Sequence, residues 1–152
     1  MIIRDAKVSD AAAIHSIISD FAELDRMLFR SMASIYECVQ SFVVAEDDDG
    51  NVIGCAALSV LWNNLAEVKS LAVLRGNEGK GIGKALVAKI IEKAKRLDLP
   101  MVFALTLEPA FFEKAGFTKV DKETLPMKVW SDCADCPKQD NCDELAFIFN
   151  LN

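Results

Sequence analysis

The sequence has a single histidine, His15, and no second imidazole with which to build a His-centred site. His15 stands between Ala11-Ala12-Ala13-Ile14 and Ile17-Ile18, so it reads as a surface or partly buried helix residue rather than a catalytic base. Positive charge is also in deficit: 17 Lys+Arg against 23 Asp+Glu leave a net charge of −6. Long-range repulsion then argues against nucleic acid and acidic membrane surfaces as partners. Long apolar runs are missing, since the longest, residues 55–62 and 101–107, fall far below membrane-spanning length. Met1-Ile2-Ile3-Arg4-Asp5 places charges where an export segment needs apolar residues, so the expected location is cytoplasmic. The five cysteines form an odd set, which favours reduced thiols or a metal site over a disulfide framework.

What is present is a chain of 152 residues, 52% hydrophobic and 26% charged, enough for one domain with its own core over 1–152 and too short for a second. Residues 2–4 read as a first strand. Ser9 then caps a helix with Ala13, Ile14, Ile17, Ile18 and Phe21 at helical spacing. A second helix is expected over 31–40, opened by Ser31 or Ser34. Residues 42–45 and 51–58 are β-rich runs around an acidic Asp-Gly turn and predict a hairpin, followed by a strand over 66–74. The clearest helix covers 85–97, with Leu86, Ile90, Ala94 and Leu97 opposite a lysine-rich face. A buried strand over 101–105, a short helix from Pro109 to Lys114, and strands over 117–120 and 144–150 complete the order βααβββαβαββ. That order predicts an α/β fold with one mixed sheet flanked by helices.

Three glycines alternate in Glu78-Gly79-Lys80-Gly81-Ile82-Gly83-Lys84, between a strand and a helix. Backbone N–H groups of such a loop, with the helix dipole behind them, suit a pyrophosphate. The loop is not a Walker A motif, because Glu78 stands where the first glycine would fall and Ala85 replaces the Ser/Thr after Lys84. Nor is it the Rossmann G-x-G-x-x-G spacing. Nucleotide hydrolysis and hydride transfer therefore lose their main support.

Leu71-Ala72-Val73 leading into this loop and Ala85-Leu86, with Phe111-Phe112-Glu113-Lys114-Ala115-Gly116-Phe117 about two dozen residues later, resembles the acetyl-CoA-binding core of the GNAT acetyltransferases. The resemblance runs in order along nearly the whole chain. It implies that backbone groups of Leu71, Ala72 and Val73 meet the pantetheine arm. It also implies that the amides of Gly79, Lys80, Gly81, Ile82, Gly83 and Lys84 hold the CoA pyrophosphate, beside a basic patch of Arg75, Lys80 and Lys84. Two positions depart from the family's habit. Glu78 replaces the usual Gln or Arg, and Phe112 replaces a common tyrosine general acid. Phenylalanine has no proton to give a departing thiolate, yet a thiol titrating near 8.5 leaves fairly well without one.

Three stretches bear on the acceptor: Leu28-Phe29-Arg30-Ser31, residues 66–73, and residues 125–133. Together they resemble the short bacterial N-acetylglutamate synthases, which acetylate the α-amino group of L-glutamate at the start of arginine biosynthesis. The resemblance implies carboxylate binding by Arg30 and Lys69, with Ser31 adding a hydroxyl or amide and Lys128 a third candidate. Glu67, alternating with Lys69 on one strand face, is the candidate base for direct attack of the amine on the thioester. A solvated surface charge is the plain alternative for either cation, and a strand-end carboxylate met by solvent or a cation is the alternative for Glu67. Other readings of the whole are an acetyltransferase acting on another small amine or a protein N-terminus, and an acyl-CoA-binding sensor that has lost catalysis. Longer N-acetylglutamate synthases carry an arginine-sensing kinase-like domain, for which 152 residues leave no length.

Cys133, Cys136 and Cys142 supply three thiols, but a structural zinc site normally takes four ligands. A nearby aspartate or a second subunit's sulfur is one way to complete it, and a thiol-rich loop without metal is the other; no metal is expected. An exposed edge on the C-terminal strand makes a homodimer a reasonable expectation.

Overall fold

Alternating and helical hydrophobic spacing become, in the computed structural model, a sheet with helices on both faces; it describes residues 1–24, 27, 29–125 and 144–151. The strands are β1 (Ile2–Asp5), β2 (Phe42–Glu46), β3 (Val52–Trp62), β4 (Leu65–Val73), β5 (Met101–Thr106), β6 (Thr118–Val120) and β7 (Leu145–Asn150). The α-helices are α1 (Ala11–Glu23), α2 (Met32–Glu37), α3 (Ile82–Arg96) and α4 (Pro109–Lys114). This is the element order read from the sequence. The strands lie in the order β1-β2-β3-β4-β5-β7-β6, all neighbours antiparallel except β4 and β5.

Two corrections follow from the backbone. Ser9 does not cap α1: it lies exposed within a 3₁₀ turn, Val8–Asp10, and Asp10 is the N-cap residue. The C-terminal strand has no free edge either, because β7 pairs with β5 on one side and β6 on the other. Both sides of β7 are satisfied by ladders, so the edge argument for a homodimer falls away.

Asp10 instead anchors the start of α1 to the sheet. Its carboxylate accepts from Arg4 Nη1 and Nη2 at 2.8 and 3.0 Å and from the Lys7 amide at 2.7 Å. The Arg4 hydrogen bonds hold the Asp10 carboxyl below its ordinary value. Its stabilisation is therefore present above the unfolded carboxylate pKa and is lost as pH falls through the lower folded value. Asp10→Asn is expected to lower stability by about 1–3 kcal/mol at neutral pH, a difference that shrinks toward pH ~3. Urea unfolding of both proteins across pH 3–7 measures it, and parallel stability curves would refute it.

The sheet carries a core on each face. On one, α3 presses Leu86, Val87, Ile90 and Ala94 onto Val43, Ala56, Leu58, Ala66, Val68 and Val102. On the other, Ile14, Ile17 and Ile18 of α1 and Ile35 of α2 meet Phe42, Val44, Cys55, Ala57 and Ala72. Burial of these side chains, at roughly 25 cal/mol per Å², is the main force holding the layers together. Among the described residues, no helix is long and apolar enough to cross a membrane.

The fold makes its opening between the parallel strands. β4 and β5 pair only at Ala66↔Val102 and Glu67↔Phe103, although β4 continues to Val73 and β5 to Thr106. Beyond Glu67 the strands part, and β4 turns a backbone edge without a strand partner toward the gap.

Candidate active site

A β-bulge shapes the wall of that gap. Cys55 pairs with Ala72 and Ala57 with Lys69, so Ser70 and Leu71 together oppose Ala56. Ser70 takes up the extra residue at φ 55°, in the left-handed region. The side-chain alternation reverses there: Ala66 and Val68 face α3 before the bulge, and Leu71 and Val73 face it after. Glu67 and Lys69 can thus share the opposite face while Leu71 and Val73 pack under α3. The buried Cys55 Sγ donates to the Ser70 carbonyl at 3.3 Å. Burial pushes the Cys55 thiol up to about 12, so it stays protonated as a donor.

After β4 the chain enters the glycine loop. The Leu74 amide donates to the Ile53 carbonyl at 2.8 Å and the Asn77 amide to the Leu74 carbonyl at 3.0 Å. Glu78, the acidic departure, accepts from the Gly76 amide at 2.8 Å, so its carboxylate shapes the turn. α3 begins earlier than hydrophobic periodicity alone indicates, at Ile82 rather than Ala85, with Gly81 as N-cap at φ 78°. An L side chain there would be strained, and glycine lets the loop turn directly into the helix. The first-turn amides of α3 have no intrahelical acceptor, and no acidic residue occupies that turn. The loop and helix start therefore fit a phosphate-bearing ligand by geometry and charge.

Gly83 is needed for a different reason. A Cβ on it would lie 3.1 Å from Phe111 Cε1, so the α4 aromatic packs directly against the start of α3. Gly83→Ala is expected to displace Phe111 by a few tenths of an ångström and raise the KM for acetyl-CoA, the donor that the sequence resemblance implies, several-fold. The better helix propensity of alanine, about 1 kcal/mol, should hold the melting temperature near the parent's. Steady-state kinetics with thermal unfolding test this, and an unchanged KM would remove Phe111 from the site wall.

The cleft encloses about 1060 Å³ and runs from the α1–α2 connection, across the β4–β5 gap, to the N-terminus of α3. Arg30, Glu67, Lys69, Leu71, Ala72, Val73, Gly79, Gly81, Ile82, Gly83 and Lys84 all line it. Ser31 and Lys80 do not. Ser31 is the N-cap of α2, its Oγ accepting from the Ser34 amide at 3.1 Å, and Lys80 is exposed. Arg75 is exposed as well and only Lys84 of the expected basic patch reaches the lining. Glu67 is 8% exposed, a carboxylate carried into the sheet interior by its place beside both β3 and β5. Phe112, at the expected tyrosine position, is buried against Phe111, Phe117 and Phe147 and serves as packing. His15 is half-buried, edge-on to Phe29 with ring centroids 5.8 Å apart. Lys128, Cys133, Cys136 and Cys142 lie outside the described residues. Among the described residues, no group of three or more His, Cys, Asp or Glu could hold a metal.

Sequence reasoning missed Ser34, Thr106 and Glu108, which also line the cleft. Only Ser34 carried a local signal, four residues after Arg30, and it read merely as a possible helix start.

Residues 11–117 match the acetyltransferase (GNAT) family. The chain belongs to the GNAT acetyltransferases. It is 42% identical over 149 residues to an uncharacterized N-acetyltransferase of Chlorobaculum tepidum, covering 98% of this chain and 96% of that one. An amino-acid acetyltransferase of Mycobacterium tuberculosis is 38% identical over 86% of this chain and 76% of its own. A Mycobacterium tuberculosis crystal structure in complex with CoA superposes with TM-score 0.86 at 32% identity, covering both chains fully. N-acetylglutamate synthase from Neisseria gonorrhoeae, complexed with coenzyme A and N-acetyl-glutamate, superposes with TM-score 0.88 at 27% identity over 99% of this chain and 35% of that one. This GNAT protein is accordingly an acetyl-CoA-dependent acetyltransferase.

Proposed function

We propose that this acetyltransferase transfers the acetyl group to the α-amino group of L-glutamate, as the first step of arginine biosynthesis in the cytoplasm. The observation carrying this reading is that Arg30 and Lys69, two cations in an acidic protein, line the same cleft as Glu67. A dicarboxylate acceptor is complementary to two cations lining one cleft, and the same cleft holds a carboxylate that can take the proton of its ammonium.

In this reading Glu67, directly or through a water, takes a proton from the acceptor ammonium. The freed amine nitrogen forms a bond to the acetyl carbon as the C–S bond breaks, the electron pair leaves on the CoA sulfur, and the nitrogen gives its second proton to solvent to become the neutral amide. N–H groups on the cleft-facing edge of β4 are the donors suited to the negative charge developing on the acetyl oxygen. Phe112 has no proton to give, and a thiol titrating near 8.5 departs as thiolate and is protonated by solvent. Leu71, Ala72 and Val73 hold the pantetheine arm by backbone contacts. The amides of Gly79, Lys80, Gly81, Ile82, Gly83 and Lys84, with the Lys84 ammonium group, hold the pyrophosphate. Ser31, which does not line the cleft, acts through the α2 N-cap, where its Oγ accepts from the Ser34 amide.

The test is release of free CoA thiol from acetyl-CoA with L-glutamate, L-aspartate, L-glutamine, L-ornithine or a peptide N-terminus, against a blank without acceptor. Glutamate is expected to exceed aspartate by about 10–200-fold in kcat/KM, the usual discrimination for one methylene. Preference for another acceptor would move the substrate and keep the chemistry. Tight acetyl-CoA binding with no turnover on any amine would favour the sensor reading.

A further inference from the structure

Arg30 enters the cleft from the segment before α2, and its guanidinium is held on two sides. Nε and Nη2 both donate to Ser34 Oγ, at 3.3 and 3.1 Å. Its Cζ stands 5.2 Å from the ring centroid of Phe42, a residue with 0% exposure at the start of β2. Ser34 is itself fixed, because its amide donates to Ser31 Oγ in the first turn of α2. A guanidinium offers a carboxylate two parallel pairs of N–H groups, one along Nε and Nη2 and one along Nη1 and Nη2. Ser34 occupies the first pair.

We propose that Ser34 is a positioning residue that presets Arg30, so that the acceptor carboxylate is taken on the Nη1–Nη2 edge. The proposal rests on the carboxylate-binding role of Arg30 given above. A long cation that is already seated on an aromatic ring and tied to a hydroxyl loses less freedom when its ligand arrives. The gain falls on acceptor affinity, and the chemical step at Glu67 and the donor site at the glycine loop are left alone. Sequence spacing alone does not reveal this, because an Arg and a Ser four apart are commonplace around a helix start.

The test is a double-mutant cycle on the full chain with Ser34→Ala, Ser34→Thr, Arg30→Ala and the Arg30→Ala/Ser34→Ala pair, with thermal unfolding of each. Ser34→Ala is expected to raise the KM for L-glutamate by about 3–10-fold, the usual effect of freeing one ordered side chain, with kcat and the KM for acetyl-CoA unchanged. Ser34→Thr, which keeps the hydroxyl, should restore the parent KM. In the Arg30→Ala background, Ser34→Ala should add nothing, because its partner is gone. An unchanged KM in Ser34→Ala, or the same added rise without Arg30, overturns the positioning role and leaves the substrate reading standing. Parent-like glutamate kinetics in Arg30→Ala alone overturn the substrate reading itself, and this inference with it.

Discussion

Glu67→Gln lowers kcat by about 10²–10⁴-fold, the usual contribution of a positioned general base, with little change in either KM. Glutamine keeps the size of the side chain and its hydrogen-bonding oxygen, so the fold should survive the change at a position only 8% exposed. The pH profile separates this from structural damage. In the parent, activity falls on the acidic side as the base is protonated and the acceptor ammonium has nowhere to send its proton. The variant should be slow at neutral pH and gain rate only as pH climbs toward the acceptor amine's own pKa, where the free amine needs no base. Measurement needs kcat from pH 5 to 9 for both proteins, with thermal unfolding as control. A variant within about threefold of the parent, with the acidic limb intact, would return Glu67 to the role of a buried strand carboxylate.

Arg30→Ala carries the second large effect, and it falls on the other kinetic parameter. Removing a charge-assisted contact of about 1.5–3 kcal/mol should raise the KM for L-glutamate by roughly 10–150-fold. The KM for acetyl-CoA should not move, because Arg30 belongs to the segment before α2 and not to the loop and α3 N-terminus proposed to hold the donor. Arg30→Lys should recover little, since an ammonium cannot reproduce the paired N–H geometry of a guanidinium. A proportional fall in turnover with every acceptor, including those without a side-chain carboxylate, would recast Arg30 as a structural residue bridging Phe42 and α2.

How much of this was legible beforehand differs by residue. The glycine loop was, because alternating glycines between a strand and an amphipathic helix have few physical uses. Helical periodicity over 85–97 does not reach Ile82, which sits among glycines and finds its apolar partners in β3 and β4. Asp10 holds the N-cap position where Ser9 is the local expectation, because its carboxylate is bound by Arg4, remote from any local capping pattern. Nothing local announces that β7 slots between β5 and β6. Ser34 stayed hidden for the same reason: its partner is a side chain whose direction depends on Phe42, a residue of another element.

The sequence by itself determined the order of strands and helices, the alternating glycines before an amphipathic helix and the net acidic charge. These depend on neighbours within a few residues or on composition, and no contact across the chain is needed to express them. Only the tertiary structure decided where β4 and β5 part, that the Ser70 bulge reverses the strand's faces, and that Arg30, Glu67 and Lys69 come to one cleft. Strand register, splay and side-chain aim are set by packing between elements distant in sequence, where α3 on one face and α1 with α2 on the other leave the two parallel strands paired at only two positions.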